Sequence, residues 1–285
     1  MFTITPDIER LIDRSLDEDL GFGDLTTEAI VPDSLRVMGS IVAKTNGVLA
    51  GLDLARSVLR KVDSAIEFNP LIQDGEDLKS DGCIAEIEGT ASSILKAERT
   101  VINYLQRLSG IATETARYAQ AVKGYPTRIL DTRKTTPGMR ALEKYAVSIG
   151  GGYNHRRGLG DAILIKDNHI EVMRQTGMEL GDIVAKARSV APHYLKVEVE
   201  VENLEEVYEA LDAGAEILLL DNMTLEEMAE AVKWVCGRAM IEASGGITLS
   251  NVQNVAATGV DFISVGALTH SSNALDISLD LIKVV

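Results

Sequence analysis

The chain is poor in cysteine, and this scarcity narrows what the protein can be. Its two cysteines, Cys83 and Cys236, form no CxxC pair and no metal-ligand spacing. Neither a disulfide framework nor a zinc site is therefore expected, and we predict two buried free thiols. The first residues lack the apolar core of a signal peptide, and no apolar run is long enough to span a membrane. We expect a cytoplasmic protein without a membrane partner.

Basic residues are also in the minority. The chain carries 28 Lys and Arg against 43 Asp and Glu, a formal net charge of −15. This charge argues against nucleic acid as a partner, because phosphate backbones would be repelled. With 46% hydrophobic and 25% charged residues, the composition is that of a folded globular protein. The length of 285 residues is enough for one α/β barrel or for two smaller domains.

The cationic side chains that are present concentrate in one stretch, residues 128–169. They include Arg133, Lys134, Arg140, His155, Arg156, Arg157 and Lys166. Several directly follow short apolar runs, where βα loops begin and where α/β folds bind their ligands. A local basic pocket in an acidic protein favours a small anionic ligand. The alternative is that these are ordinary solvated surface charges.

The N-terminal part predicts helices over residues 7–20 and 92–123, the second one capped by Ser92. Residues 36–88 read as short strands separated by turns such as Asn46-Gly47. This pattern resembles the half-barrel of biotinyl and lipoyl carrier domains, with Lys44 as the residue to be modified. A carrier module is thus one alternative function. A turn at residues 124–126 predicts two domains, an N-terminal α/β sandwich with a long connecting helix over 1–124 and an α/β barrel over 125–285.

The C-terminal part alternates between apolar runs and helical stretches. The predicted strands are residues 128–131, 162–167, 195–201, 216–221, 239–243 and 261–265. Helices are expected between them, for example over residues 204–213 and 225–235. Such alternation predicts a parallel sheet that forms a complete or an incomplete barrel. No GxGxxG motif follows the first strand, so a dinucleotide-binding fold is disfavoured.

Residues with useful chemistry follow the predicted strands and would collect at one end of a barrel. The glycines of Ser244-Gly245-Gly246 and Gly266 lie in two late loops, where backbone N–H groups can approach a phosphate. Glu200 and Asp221 suit Mg²⁺ and ribose hydroxyls. An ion network with Lys166 or Arg133 is the structural alternative for these carboxylates, and the two interpretations are compatible.

Several segments together resemble the quinolinate phosphoribosyltransferases. They are ERTVINYLQRLSGIAT, DTRKTTPGMRALEKYAV, GGGYNHRRGLGDAILIKDNH, VEVEVENLEE, ILLLDNM, EASGGI and VDFISVGALTHS. The resemblance implies an N-terminal α/β sandwich and an open α/β barrel, the type II phosphoribosyltransferase fold. It also implies a homodimer, or a higher assembly of dimers, with a shared active site. The last residues of the chain would then pack back on the N-terminal domain.

The activity that this resemblance implies is a pentosyl transfer in NAD biosynthesis. Phosphoribosyl pyrophosphate and quinolinate would give nicotinate mononucleotide, pyrophosphate and carbon dioxide, with Mg²⁺ as cofactor. The main alternative is a molybdenum-associated paralogue that uses another acceptor. A paralogue's pocket should lack some of the arginines, and Arg99, Arg133 and Arg156 are all present here.

The resemblance also implies a role for each matching residue. Quinolinate would be bound by Arg99, Arg133, His155, Arg156 and Lys166. Phosphoribosyl pyrophosphate would be bound by Lys134, Glu200, Asp221, Ser244, Gly245, Gly246, Gly266 and His270. The catalytic residues would be Lys134, Lys166, Glu200 and Asp221, with Glu200 and Asp221 holding Mg²⁺ directly or through water. Arg99, which helical periodicity alone would leave as a solvated charge, would reach the active site of the neighbouring subunit.

Overall fold

The computed structural model describes residues 2–284, which form two compact units. Among these residues, the first unit comprises 2–116, 136–151 and 271–284, and the second comprises Arg117–Thr135 and Gly152–His270. Each unit is therefore assembled from separate segments of the chain. A domain boundary after residue 124 remains a prediction.

Helices and strands follow one another in both units. The helices are α1 (Pro6–Leu20), α2 (Leu25–Ile30), α3 (Leu52–Val62), α4 (Ala91–Ala121), α5 (Arg140–Ile149), α6 (Asp167–Arg174), α7 (Leu180–Val190), α8 (Leu204–Asp212), α9 (Leu225–Val235), α10 (Val252–Ala257) and α11 (Ala267–His270). The strands are β1 (Arg36–Ala43), β2 (Gly47–Val48), β3 (Glu67–Pro70), β4 (Asp77–Leu78), β5 (Cys83–Thr90), β6 (Arg128–Leu130), β7 (Ile163–Ile165), β8 (Val197–Val201), β9 (Ile217–Asp221), β10 (Met240–Ser244), β11 (Phe262–Ser264) and β12 (Ile277–Val284).

The first unit is built on an antiparallel sheet in the order β12-β1-β5-β3. The C-terminal strand β12 pairs with β1, so the end of the chain returns to the unit in which the chain begins. Helix α4 lies close to the turn that precedes α3, because the buried Ser109 hydroxyl accepts a hydrogen bond from Ala50 N at 3.0 Å. The expected combination of helices with an antiparallel sheet is present.

Two sequence-based predictions for this unit were wrong. Residues 36–88 contain helix α3 as well as short strands, and its residues Leu54, Ala55 and Val58 are buried at helical spacing. The surrounding turn signals concealed that spacing. Helix α4 begins at Ala91, so Ser92 lies inside its first turn instead of capping it.

The second unit contains a six-stranded parallel sheet in the order β6-β11-β10-β9-β8-β7. Strands β6 and β7 are its two edges, and no pairing between them closes the sheet within residues 2–284. The predicted open α/β barrel is confirmed. The strands are mostly shorter than predicted, and the run expected to reach Asp167 ends at Ile165, since Asp167 begins α6.

The cysteines differ from the predicted buried thiols. Cys83 is partly buried, whereas Cys236 is exposed at the end of α9. Cys236 adopts a left-handed backbone conformation, with φ at 47°, and caps the C-terminal end of the helix. Among residues 2–284, no helix is long and apolar enough to cross a bilayer.

Candidate active site

A cavity of about 410 Å³ lies in the second unit, where several strands of the parallel sheet end. It is lined by Thr132, Arg133, Lys134, His155, Arg156, Leu164, Lys166, Glu200, Leu219, Asp221, Glu242, Ser244 and Ser264. Eight of these residues belong to the predicted site. They are Arg133, Lys134, His155, Arg156, Lys166, Glu200, Asp221 and Ser244. Six of them lie at or just after the carboxyl ends of strands, which share one edge of the parallel sheet. His155 and Arg156 instead follow Tyr153, which forms a parallel bridge with Leu130 of β6.

Lys166 and Glu200 meet because of the register between two strands. Strands β7 and β8 pair Ile165 with Val199, so the residues that follow these two, Lys166 and Glu200, are also adjacent. The Lys166 ammonium donates a hydrogen bond to Glu200 Oε2 and forms an ion pair with it. The ion network considered from the sequence is therefore present, and it leaves both side chains at the cavity wall.

Asp221 supplies a second carboxylate on the adjoining strand. It ends β9 and pairs in register with Ser244 at the end of β10. Asp221 Oδ2 accepts a hydrogen bond from the Asn222 side chain at 2.8 Å. Two carboxylates from neighbouring strands, both facing one cavity, form an oxygen donor set of the kind that Mg²⁺ prefers.

Two arginines contribute positive charge to the same cavity. Burial lowers the pKa of Arg156, and the nearby positive charge of Arg133 lowers it further. The Arg156 guanidinium also donates a hydrogen bond to Ala162 O at 3.3 Å. Two positive charges that repel one another in a partly buried cavity favour the binding of an anion between them. Guanidinium groups match planar carboxylates in a bidentate arrangement.

The predicted glycine-rich loops lie around Lys134 and Asn222. A Cβ built on Gly266 would lie 3.0 Å from Lys134 Cδ and 3.2 Å from His270 Nε2, so both side chains pack closely against this glycine. Gly245 has φ at +89°, and a Cβ there would lie 2.2 Å from Asn222 Oδ1. Gly246 also has a positive φ, at +61°, with open space at its Cβ position.

Two further acidic residues, Glu198 and Glu242, lie beside His155 and were missing from the predicted site. Their side chains are only 4% and 3% exposed. Burial raises the pKa of Glu242 to about 8, and the neighbouring Glu198 adds to this effect. The period-two alternation of strands gives the signal that could have found them. Glu198 lies two residues before Glu200, and Glu242 lies two residues before Ser244.

Arg99 is the predicted site residue that belongs to the first unit. It lies on helix α4 with an exposed side chain. It lines a cavity of about 480 Å³ in that unit, together with Glu18, Asp19 and Asn103 among others. The role of Arg99 toward a neighbouring subunit remains a prediction.

Comparisons with known proteins identify the family. The family model for the N-terminal domain of quinolinate phosphoribosyl transferase matches residues 24–109, and the model for its C-terminal domain matches residues 111–280. The first match covers the segment for which a carrier module was the alternative.

Individual relatives agree with the family matches. A nicotinate-nucleotide pyrophosphorylase [carboxylating] from Mycobacterium leprae is 45% identical, over 95% of each chain. A probable enzyme of the same name from Synechocystis is 43% identical, over 97% of this chain and 93% of the relative. The solved structure of NadC from Streptococcus pyogenes has a TM-score of 0.93 at 40% identity, over 99% of this chain and 100% of that one.

Proposed function

This chain belongs to the quinolinate phosphoribosyl transferase family, and we propose that it converts quinolinate and phosphoribosyl pyrophosphate into nicotinate mononucleotide, pyrophosphate and carbon dioxide. One observation carries the proposal beyond the family. A single cavity combines the guanidinium groups of Arg133 and Arg156 with the carboxylates of Glu200 and Asp221. The first pair suits a dicarboxylate, and the second suits a sugar that develops positive charge.

Quinolinate carries two adjacent carboxylates on a pyridine ring, so its recognition requires several cations in one place. Arg133 and Arg156 supply two guanidinium forks, and Lys166 supplies an ammonium at the wall of the same cavity. Lys166 already neutralises Glu200 in the free protein. An arriving carboxylate would therefore compete with Glu200 for this ammonium and free Glu200 for the second substrate.

Phosphoribosyl pyrophosphate would take the side of the cavity formed by β9, β10 and β11. The backbone at Gly245, Gly246 and Gly266 would receive its 5-phosphate, and Lys134 and His270 lie beside Gly266. Glu200 and Asp221 would contact its ribose. Both carboxylates fit Mg²⁺, which when bound would offset the negative charge of the pyrophosphate leaving group.

The reaction needs no covalent nucleophile from the protein. The lone pair of the pyridine nitrogen forms a bond to the anomeric carbon, and the bond from that carbon to pyrophosphate oxygen breaks. Glu200 and Asp221 would stabilise the positive charge that develops on the ribose. The ring nitrogen is then cationic, and its charge stabilises the carbanion left at ring carbon 2 when the carboxylate there departs as carbon dioxide. A proton from solvent replaces it.

The assembly and the location of the protein extend this proposal. Arg99 is exposed on α4, and we assign it to the active site of a neighbouring subunit in a homodimer. A dimer with shared sites would add a third guanidinium to each quinolinate pocket. We also propose a cytoplasmic location, as expected from the sequence.

An assay with quinolinate, phosphoribosyl pyrophosphate and Mg²⁺ tests the function directly. Nicotinate mononucleotide and carbon dioxide should be released in equal amounts. Nicotinate should be used poorly, because it lacks the second carboxylate that the cation-rich cavity is built to bind. Folded protein that releases no carbon dioxide from quinolinate would contradict the proposal and favour a paralogue with another acceptor.

A further inference from the structure

His155 has both of its ring nitrogens close to protein partners. The backbone N–H of Arg156 donates to His155 Nδ1 at 2.7 Å. On the other side of the ring, His155 Nε2 lies 3.2 Å from Glu198 Oε2 and 3.6 Å from Glu242 Oε2. The backbone N–H of His155 donates to the buried Asp131 at 2.8 Å. The loop at residues 155–156 is thus held on both sides of the ring.

These contacts determine the protonation state of the ring. Nδ1 accepts a hydrogen bond, so it carries no proton, because two N–H groups would otherwise face each other. The ring is then neutral, with its single proton on Nε2, and that proton points to the carboxyl groups of Glu198 and Glu242. A ring flipped by 180° would place a carbon 2.7 Å from the Arg156 nitrogen, which is too close for a carbon.

The same three side chains satisfy the spacing of a metal site, since their nearest ligand atoms lie within 4.8 Å of one another. The hydrogen bond from Arg156 N argues against this occupant. A histidine that binds a metal through one nitrogen normally keeps a proton on the other and donates it. Here the other nitrogen is an acceptor, so metal binding would leave the ring without any proton. The geometry favours a proton on Nε2.

We propose that Glu198 and Glu242 fix His155 as a neutral ring protonated at Nε2, and that this ring positions Arg156 for a quinolinate carboxylate without binding the carboxylate itself. The role of Arg156 in this statement rests on the proposed function. Neither ring nitrogen is then available to donate to the substrate. His155 is accordingly a positioning residue, unlike the direct substrate contact that the family resemblance implies.

Burial also sets the protonation state of Glu242. The pKa of Glu242 is raised to about 8, mainly by burial, so this group is protonated near neutral pH. The positive charge of Lys166 and a hydrogen bond from Ser264 act in the opposite direction.

NMR of the free protein tests the tautomer without any reference to activity. The sequence contains four histidines, so ring ¹⁵N signals can be assigned with single variants such as His155→Gln. We expect the His155 signals of an Nε2–H ring at pH 7 and an unchanged tautomer in Glu242→Gln, whose amide oxygen can still accept the proton. A ring protonated at Nδ1, or at both nitrogens, would overturn the proposal. Binding of one Zn²⁺ or Mn²⁺ ion per chain in the wild type, with loss of that binding in Glu242→Gln, would also overturn the proposal.

Steady-state kinetics test the positioning role. Glu242→Ala should raise KM for quinolinate by about 10- to 100-fold, because Arg156 is displaced, with little change in KM for phosphoribosyl pyrophosphate. Glu242→Gln should restore most of this loss. The exposed His193 provides the control His193→Gln, with no effect. Equal changes for both substrates, or no rescue by Gln, would reject the role. If the wild type fails to use quinolinate, the proposed function fails while the NMR result still decides the tautomer.

Discussion

Lys166 and Glu200 form an ion pair across neighbouring strands of the open barrel. Both residues line the cavity that contains most of the predicted site residues. The pairing of Ile165 with Val199 aligns them. The ion pair holds a carboxylate and an ammonium group together at the cavity wall. Each has a separate predicted substrate, so the pair connects the two binding events.

The ion pair predicts that variants of its two members are not independent. Lys166→Met should mainly weaken quinolinate, and Glu200→Gln should lower kcat on the order of 10²-fold by removing charge stabilisation from the ribose. In the double variant the loss should be smaller than the product of the two single losses, because contacting residues couple. A double-variant cycle on kcat/KM measures this, and strict additivity would show that the pair has no functional role.

Arg133 should contribute to the binding of quinolinate and not of the sugar. Arg133→Ala should weaken quinolinate by roughly 2 to 5 kcal/mol, because a carboxylate loses its partner inside the cavity. Arg133→Lys should recover only part of the loss, since an ammonium cannot form the bidentate contact. Calorimetric titration with each substrate checks this. Equal losses for quinolinate and phosphoribosyl pyrophosphate would contradict the assignment.

Gly245 tests the phosphate loop. Gly245→Ala combines a left-handed backbone with a clash against Asn222 Oδ1, and it should raise KM for phosphoribosyl pyrophosphate on the order of 10-fold. Gly237→Ala is the matched control, because Gly237 has φ at +75° but open space around its Cβ position. The control should cost about 1 to 2 kcal/mol of stability without a change in KM. The same change in KM for both variants would refute a specific role for the Gly245 loop.

Arg107 stabilises a buried carboxylate in the first unit. Its guanidinium donates to Glu143 Oε1 at 2.7 and 3.2 Å, and Glu143 is fully buried. Arg107→Met should reduce the free energy of unfolding by about 3 to 5 kcal/mol, because the carboxylate loses its charged partner. Adding Glu143→Leu should recover part of this stability. Urea denaturation measures both, and a double variant less stable than Arg107→Met would show that the ion pair is not the cause.

Stability should depend on pH through Glu242. The folded state raises the pKa of this carboxyl from its ordinary value of 4.5 to about 8, by burial and by the charge of Glu198, against the opposing effects of Lys166 and of a hydrogen bond from Ser264. The folded state therefore binds more protons between these values, and stability falls as pH rises through this window. The total loss is on the order of a few kcal/mol.

The variant Glu242→Gln isolates this contribution, because its amide cannot titrate. Urea denaturation from pH 5 to pH 8 should show a steeper loss of stability in the wild type than in the variant. Parallel curves for the two proteins would mean that Glu242 is ionised throughout this range. The test also shows whether Glu242, which lies beside His155, is protonated in the folded protein, without measuring turnover.

The sequence by itself determined that the protein is globular, that strands alternate with helices, and which residues follow each strand. The open barrel follows from these local patterns, whereas the family was indicated by the resemblance of several segments. A parallel sheet places the carboxyl ends of its strands at one edge. Lys166, Glu200, Asp221 and Ser244 were identifiable for that reason. Helix α3 was missed because turn residues on either side of it concealed its periodicity.

Only the tertiary structure decided which side chains meet across the sheet. The register of β7 and β8 joins Lys166 to Glu200. The segment between α5 and β7 brings His155 to Glu198 of β8 and Glu242 of β10. Such contacts depend on strand register and on burial, and neither is encoded in local sequence periodicity. The same burial sets the pKa of Glu242, because the loss of solvent is a property of the folded environment and not of the residue.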